Sequence, residues 1–262
     1  MSIEFQGRVA IVTGAGGGLG KQHALALAKR GAKVLVNDLG GNVHGEGGSV
    51  SAAQAVVDEI ISAGGEAIAN GASVTDYEAV QAMVKQAMDK WGRVDILVNN
   101  AGKSPLYDNI ANVNEQMWDS VIGLNLKGPF RLSALLGSRM SERAKETGRA
   151  GSIINISSIA AIHPTPDVIP YTAAKAGLNA MTIGFAQTFG PHVRVNCIMP
   201  GSFRTDISKA WNWDMVDQMM KRVALKRVGE PHEIVGAALF LASDASTYTT
   251  GAVFTVDGGV PT

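Results

Sequence analysis

The chain has 262 residues, with 23 Lys or Arg and 23 Asp or Glu, so its formal net charge is zero. Such a balance gives no general attraction to nucleic acid or to an anionic membrane surface. The longest apolar stretches have only the length of strands, and no charged-then-apolar leader opens the chain, so we expect no membrane span, no signal peptide and a cytoplasmic location.

Strand-like apolar runs alternate with amphipathic helical stretches along the whole chain. Strands are predicted near residues 8–13, 33–37, 66–70, 94–98, 152–157, 193–198 and 253–256. This alternation is typical of an α/β protein with a parallel, doubly wound sheet of seven strands and helices on both faces. No linker, repeat or low-complexity tract divides the chain, so we expect a single domain over residues 1–262.

A glycine-rich turn, TGAGGGLG at residues 13–20, follows the first strand and precedes a helical pattern. Glycines let the chain turn tightly and let a pyrophosphate approach the backbone, and the helix amino terminus offers unpaired N–H groups. The turn therefore predicts a dinucleotide site that includes Gly14, Gly18, Leu19 and Gly20.

Asp38 ends the second predicted strand, where dinucleotide-binding folds place an acid that binds the adenosine ribose hydroxyls. A carboxylate there repels a ribose 2′-phosphate, and no Lys or Arg follows Asp38 closely to neutralise one. We therefore predict NAD rather than NADP. The simpler interpretation is that Asp38 only caps the turn that follows it.

Tyr171 and Lys175 stand four residues apart in a helix-favouring stretch, which places the phenol and the ammonium on one helix face. A phenol has a reference pKa of about 10, and a neighbouring cation lowers that pKa by favouring the phenolate. We expect Lys175 to make Tyr171 a usable acid or base. Taken alone, such a pair is more often an exposed neighbour pair, which is common on any helix.

Several further motifs accompany this pair: NNAG at residues 99–102, Asn125 in LNLKG, Ser158 in NISS, and Pro200-Gly201 followed by Thr205. With them the chain resembles the short-chain dehydrogenase/reductase family, of the type with about 250 residues and a Rossmann-like fold, from about Gly7 to Gly259. The resemblance implies that Tyr171 exchanges the proton with the substrate oxygen, which Ser158 also binds. It implies that Lys175 lowers the pKa of Tyr171 and binds the nicotinamide ribose, and that Asn125 holds a water of a proton relay.

The same resemblance supplies the remaining cofactor contacts and the activity. It implies that Asn99, Ala101, Gly102, Pro200, Gly201, Phe203 and Thr205 stabilise or line the cofactor site. The expected reaction is hydride transfer between NAD(H) and a secondary alcohol or ketone of small-molecule size. Two alternatives remain: an NADPH-dependent 3-oxoacyl reductase, and a non-catalytic NAD-binding sensor. A homotetramer is implied by the resemblance alone.

Two segments extend beyond this scaffold. The glycine-rich loop at residues 39–49 either closes over the adenosine or is mobile. Residues 204–223 contain two Trp and three Met, and they form either an adaptable apolar lid or a helix pair packed into the domain or a subunit contact. A lid predicts a sizeable apolar or cyclic substrate, such as a steroid, a terpene or a hydroxyacyl compound.

The remaining reactive side chains suggest no second site. The single cysteine, Cys197, is expected as a buried free thiol, and the five histidines lack metal-ligand spacing, so we expect no metal. The basic residues Arg139, Arg143, Lys145 and Arg149 are expected at a solvated helix end.

Overall fold

The computed structural model describes residues 3–40, 49–205, 208, 211 and 213–261. The strands are β1 (Val9–Thr13), β2 (Lys33–Asn37), β3 (Glu66–Asn70), β4 (Ile96–Asn99), β5 (Gly151–Ile156), β6 (Val193–Pro200) and β7 (Val253–Val256). They form one parallel sheet in the order β3-β2-β1-β4-β5-β6-β7. The prediction of a seven-stranded parallel sheet is confirmed, with strand ends shifted by at most two residues.

The helices flank this sheet on both faces. They are α1 (Gly18–Lys29), α2 (Ser51–Ser62), α3 (Tyr77–Trp91), α4 (Glu115–Ile122), α5 (Gly128–Thr147), α6 (Ile169–Phe189), α7 (Trp213–Met220) and α8 (Val235–Ala242). A π-helical turn, Gly123–Lys127, joins α4 to α5. Across the described ranges, none of the helices is both long enough and apolar enough to span a bilayer.

The core has two layers because successive side chains of a strand point to opposite faces of a sheet. From β1, Ala10 and Val12 pack with apolar residues of α1, α2 and α8 on one face. Val9 and Ile11 pack with residues of α3, α5 and α6 on the other face. Both faces of the sheet are therefore buried, as a parallel sheet requires.

The strand order reverses between β1 and β4, which are neighbours in the sheet although β2 and β3 lie between them in sequence. In sheets of this kind the crevice for ligands lies at the carboxyl ends of the strands, at this switch point. The glycine turn after β1, Asp38 after β2 and Ser158 after β5 all lie at that edge.

A buried carboxylate, Asp95, lies just before β4. It accepts hydrogen bonds from the Val9 amide at 2.9 Å and from the Arg93 guanidinium, and it also pairs with Arg143 on α5. The Asp95 side chain is 1% exposed. Arg143 is thus not at a solvated helix end as expected, because α5 turns it inward to a charge that is 48 residues away in sequence.

Candidate active site

A cavity of about 700 Å³ lies along the carboxyl ends of the strands. Most of the residues predicted for the site line it: Gly14, Gly18, Leu19, Asp38, Ala101, Gly102, Ser158, Tyr171, Lys175, Pro200, Gly201, Phe203 and Thr205. The other three predicted residues, Gly20, Asn99 and Asn125, are buried and do not line it. The fold therefore brings residues from five strand ends to one cavity.

The glycine turn is pressed against the loop that follows β4. Gly14 has φ +60°, and a Cβ placed on it would lie 2.7 Å from the Ala101 Cα. A Cβ on Gly20 would lie 2.2 Å from the Gly14 carbonyl oxygen, so this glycine packs the helix against the turn. α1 begins at Gly18 with Gly17 before it and no capping side chain. The first turn of α1 can therefore offer amides to a pyrophosphate, and this fits a dinucleotide.

The Asp38 carboxylate is held in a fixed orientation at the end of β2. One oxygen accepts a hydrogen bond from the Gly16 amide at 2.8 Å, and the other accepts one from the Gly40 amide at 2.8 Å. Two backbone donors from different segments thus hold the carboxylate beside the glycine turn, where a ribose would lie.

Asn100, which is not among the predicted site residues, links the NNAG segment to the glycine turn. Its side-chain amide donates to the carbonyl oxygens of Thr13 and Gly14 at 3.0 and 2.9 Å. The Thr13 hydroxyl accepts from the amides of Asn100 and Ala101, both at 3.1 Å. The NNAG motif could have indicated this role, because Asn100 directly follows Asn99 in it.

Asn99 has a different position from its neighbour. It is buried, and its side-chain amide donates to the Ser133 hydroxyl at 3.0 Å and to Asn155 at 2.8 Å. It therefore links β4 to α5 and β5. This placement agrees with the expected support of the central sheet, while the contact with the cavity comes from the residues that follow it.

Tyr171 and Lys175 both lie in the first two turns of α6. The Lys175 ammonium is 5.5 Å from the centroid of the Tyr171 ring and donates to the Ile156 carbonyl oxygen at 2.7 Å. Lys175 is 4% exposed. The expected shared helix face is therefore present, and it faces the end of β5.

Burial controls the acidity of this pair. It lowers the pKa of Lys175 from 10.5 to about 8. It raises the pKa of Tyr171, and a hydrogen bond with Ser158 acts in the opposite direction. The lowering of the Tyr171 pKa by Lys175 that we expected is not found in this structure, because loss of solvent around the phenolate outweighs the favourable contacts.

Asn125 lies in the π-helical turn, which directs its side chain inward. Its amide nitrogen donates to the carbonyl oxygens of Val121 and Lys103 at 3.0 and 2.9 Å. Its side-chain oxygen is buried and accepts no hydrogen bond from the part of the chain that the structure describes. A Cβ on Gly102 would lie 2.6 Å from this oxygen and 3.5 Å from the Lys175 ammonium, so both groups face the same glycine.

The 204–223 segment contains α7, and residues 206, 207, 209, 210 and 212 lie outside the described ranges. Val216, Met220 and Val223 pack with Val228, Trp211, Trp213 and Val260 in a small apolar cluster. Trp211 also lines the cavity. Elsewhere on α7, Met215 and Met219 are 65% and 55% exposed. The segment thus combines a packed helix with an exposed apolar side, features of both interpretations. Most of the glycine-rich loop at residues 39–49, namely residues 41–48, also lies outside the described ranges.

Cys197 is a buried free thiol in β6, as predicted. Burial raises the pKa of this thiol to about 11, so it is protonated at neutral pH. Within the described residues, no three His, Cys, Asp or Glu side chains are grouped to hold a metal ion.

Known proteins resemble the chain over almost its full length. Residues 14–261 match a family described as enoyl-(acyl carrier protein) reductase. A 3-oxoacyl-[acyl-carrier-protein] reductase of Synechocystis sp. is 40% identical, over 97% of this chain and 96% of the relative. An L-rhamnose 1-dehydrogenase (NAD(P)(+)) of Azotobacter vinelandii is 38% identical, over 97% and 96% of the two chains.

Solved structures show the same relationship. A 7 alpha-hydroxysteroid dehydrogenase complexed with NADH and 7-oxo glycochenodeoxycholic acid superimposes with a TM-score of 0.89 at 33% identity, covering 98% of this chain and 96% of that one. The chain is therefore an oxidoreductase and belongs to the short-chain dehydrogenase/reductase family, whose members bind a nicotinamide cofactor.

Proposed function

We propose that the protein is an NAD-dependent dehydrogenase that interconverts a secondary alcohol and a ketone, acting on a sizeable and mostly apolar or cyclic substrate. The observation that carries the proposal is the convergence of Ser158, Tyr171 and Lys175 on one cavity, with Asn125 behind them and Asp38 at its far end.

In the direction of oxidation, the hydroxyl proton of the alcohol passes to the Tyr171 oxygen while the carbinol carbon loses a hydride. The Ser158 hydroxyl binds the same substrate oxygen and orients it. NAD held by the glycine turn and Asp38 would supply the acceptor for that hydride. Tyr171 needs to be deprotonated for this step, and its raised pKa opposes that, so a second group has to share the proton.

Lys175 is placed to share that proton. Its pKa of about 8 lets it release a proton near neutral pH. A water bound to the Asn125 side-chain oxygen, which faces Gly102 together with the Lys175 ammonium, continues the relay. We assign Asn125, Ser158, Tyr171 and Lys175 to catalysis on this basis.

The preference for NAD follows from charge. Asp38 is fixed beside the glycine turn, and the sequence has no Lys or Arg between Lys33 and Lys85. Among the described cavity residues the basic ones are Lys103 and Lys175. Lys175 binds the end of β5, three strands from β2, or about 14 Å at the usual strand spacing. The two basic residues of the cavity lining thus follow β4 and β5 rather than β2, so the charge at the end of β2 favours a ribose hydroxyl over a 2′-phosphate.

The size and apolar character of the substrate rest on exposed apolar side chains in loops that continue from cavity-lining residues. Leu106 and Ile162 are 56% and 52% exposed on two of these loops, and Met215 and Met219 are exposed on α7. The exposed Trp118, Phe130 and Ile183 on α4, α5 and α6 support a homotetramer, which buries apolar surface of this kind.

The second candidate is an NADPH-dependent 3-oxoacyl reductase. It is favoured by the relatives of that name and opposed by Asp38. A non-catalytic NAD-binding sensor is opposed by the complete set of acid, base and orienting residues, since binding alone requires none of them.

The test is nicotinamide absorbance with NAD and, separately, with NADP. The substrates are a panel of hydroxysteroids, 3-hydroxyacyl thioesters, cyclic terpene alcohols and polyols. We expect kcat/KM with NAD to exceed that with NADP on the order of a hundredfold, because juxtaposed like charges cost several kcal/mol.

Asp38→Asn should reduce this ratio at least tenfold, because it removes the repulsion. Asp58→Asn on the exposed side of α2 removes the same charge away from the cavity and should leave the ratio unchanged. A wild-type preference for NADP would establish the second candidate. Binding of NAD without turnover of any alcohol or ketone would favour the sensor.

A further inference from the structure

Tyr107, which does not line the cavity, joins two segments that lead to cavity-lining residues. The Tyr107 hydroxyl donates to the Pro166 carbonyl oxygen at 2.8 Å and accepts from the Ile169 amide at 3.0 Å. The loop at residues 103–109 is thereby attached to the segment that leads into α6. Tyr107 is partly buried, and it is not among the residues that line the cavity.

The attachment point is the start of the helix that carries the reacting residues. Ile169 is the first residue of α6, and Tyr171 follows two residues later. Val168, at the capping position, provides no side-chain hydrogen bond, and Pro170 has no N–H group. The Tyr107 hydroxyl therefore binds one of the amides at the start of α6 that have no partner within the helix.

The same junction presents exposed apolar side chains two residues from the cavity-lining residues Ser104 and Tyr171. Leu106 precedes Tyr107 and is 56% exposed, and Ile169, whose amide Tyr107 binds, is 42% exposed. The preceding residues of the loop, Gly102 to Ser104, line the cavity. The loop thus runs from the cavity wall to this apolar junction.

We propose that Tyr107 is a positioning residue whose hydroxyl clamps the 103–109 loop to the amino end of α6. The clamp keeps Leu106 and Ile169 together as an apolar wall for the body of a large alcohol. This inference rests on the proposed function and deepens it, since it assigns substrate size selection to a residue that touches neither the cofactor nor the reacting atoms.

The test variant is Tyr107→Phe, which retains the ring and removes only the hydroxyl. Tyr248→Phe is the matched control, because Tyr248 is fully exposed. Three quantities are measured for each protein: hydrogen exchange of peptides spanning residues 166–172, the Kd for NAD, and kcat and KM. The kinetic constants are compared for a large apolar alcohol and for a short alcohol oxidised by the same enzyme.

We expect Tyr107→Phe to increase exchange at the start of α6 at least tenfold, because the Ile169 amide loses its acceptor. KM for the large alcohol should rise about fivefold to tenfold, in line with the loss of two ordinary hydrogen bonds. KM for the short alcohol and the Kd for NAD should change less than twofold. Tyr248→Phe should match the wild type in all of these measurements.

Unchanged exchange would overturn the clamp whether or not the enzyme turns over. Increased exchange with equal changes in KM for both alcohols, or with weakened NAD binding, would show a general structural role and would overturn the assignment of size selection. Lack of turnover by the wild type would overturn the proposed function and this size selection together, while the exchange measurement would still decide the clamp.

Discussion

Replacement of His23 should remove a large part of the acid sensitivity of the fold. His23 lies on the buried side of α1 at 1% exposure, and neither ring nitrogen has a hydrogen-bond partner among the described residues. Burial lowers its pKa from 6.5 to about 4, because the charged ring would lose its solvation. The folded protein therefore holds His23 neutral at pH values where the unfolded chain protonates it.

The sign and the size of the effect follow from this difference. Below pH 6.5 the unfolded chain binds the proton and the folded chain does not, so stability falls with pH until the folded-state pKa near 4 is reached. Above pH 6.5 the contribution is constant. At about 1.36 kcal/mol per pKa unit, the full loss is about 3 kcal/mol, and the part between pH 7 and pH 5 is about 2 kcal/mol.

The assay is urea unfolding of the wild type and of His23→Met at pH 7 and pH 5. The variant should lose about 2 kcal/mol less than the wild type between these pH values, because methionine cannot be protonated. His232→Met, at an exposed position, is the matched control and should behave as the wild type. An identical loss of stability in His23→Met and in the wild type would refute the reasoning.

Two further predictions concern charge. The initial rate of alcohol oxidation should rise about tenfold per pH unit up to an apparent pKa near 8 and level off above it, because Lys175 and Tyr171 lose a shared proton in that range. An initial rate that does not change between pH 6 and pH 9 would contradict the relay. Asp95→Asn should lower the free energy of unfolding in urea by about 3–5 kcal/mol, because it leaves Arg93 and Arg143 without their buried counter-charge. Asp89→Asn, which breaks an exposed pair with Lys85, is the control and should lower it by less than about 1 kcal/mol.

The sequence predicts most of the fold because its signals are local. Apolar runs of strand length end in turns, and the helical stretches between them have an apolar side. The glycine turn, Asp38 and the spacing of Tyr171 and Lys175 are likewise readable within a few residues. Gly14, Gly18, Leu19, Asp38, Tyr171 and Lys175 all line one cavity in the structure.

The features that the sequence does not predict depend on residues distant in the chain. Arg143 pairs with Asp95, which is 48 residues away in sequence, and the Asn100 amide donates a hydrogen bond to Thr13, which is 87 residues away. The direction of the Tyr171 pKa shift depends on how far the folded chain excludes water from the phenol. The residues adjacent in sequence do not determine that exclusion. The inward position of Asn125 depends on a π-helical turn, which has no clear sequence signal.

The central claim is that Tyr171 is the acid and base of an NAD-dependent reaction. It is tested most directly by comparing Tyr171→Phe with Tyr77→Phe, a surface control that is 47% exposed. For each variant, kcat/KM for the best alcohol of the panel and the Kd for NAD are measured. We predict that kcat/KM falls by about two to four orders of magnitude in Tyr171→Phe alone, the usual contribution of a general acid or base, while the Kd for NAD changes little. Retention of more than a tenth of the wild-type kcat/KM in Tyr171→Phe would contradict the account.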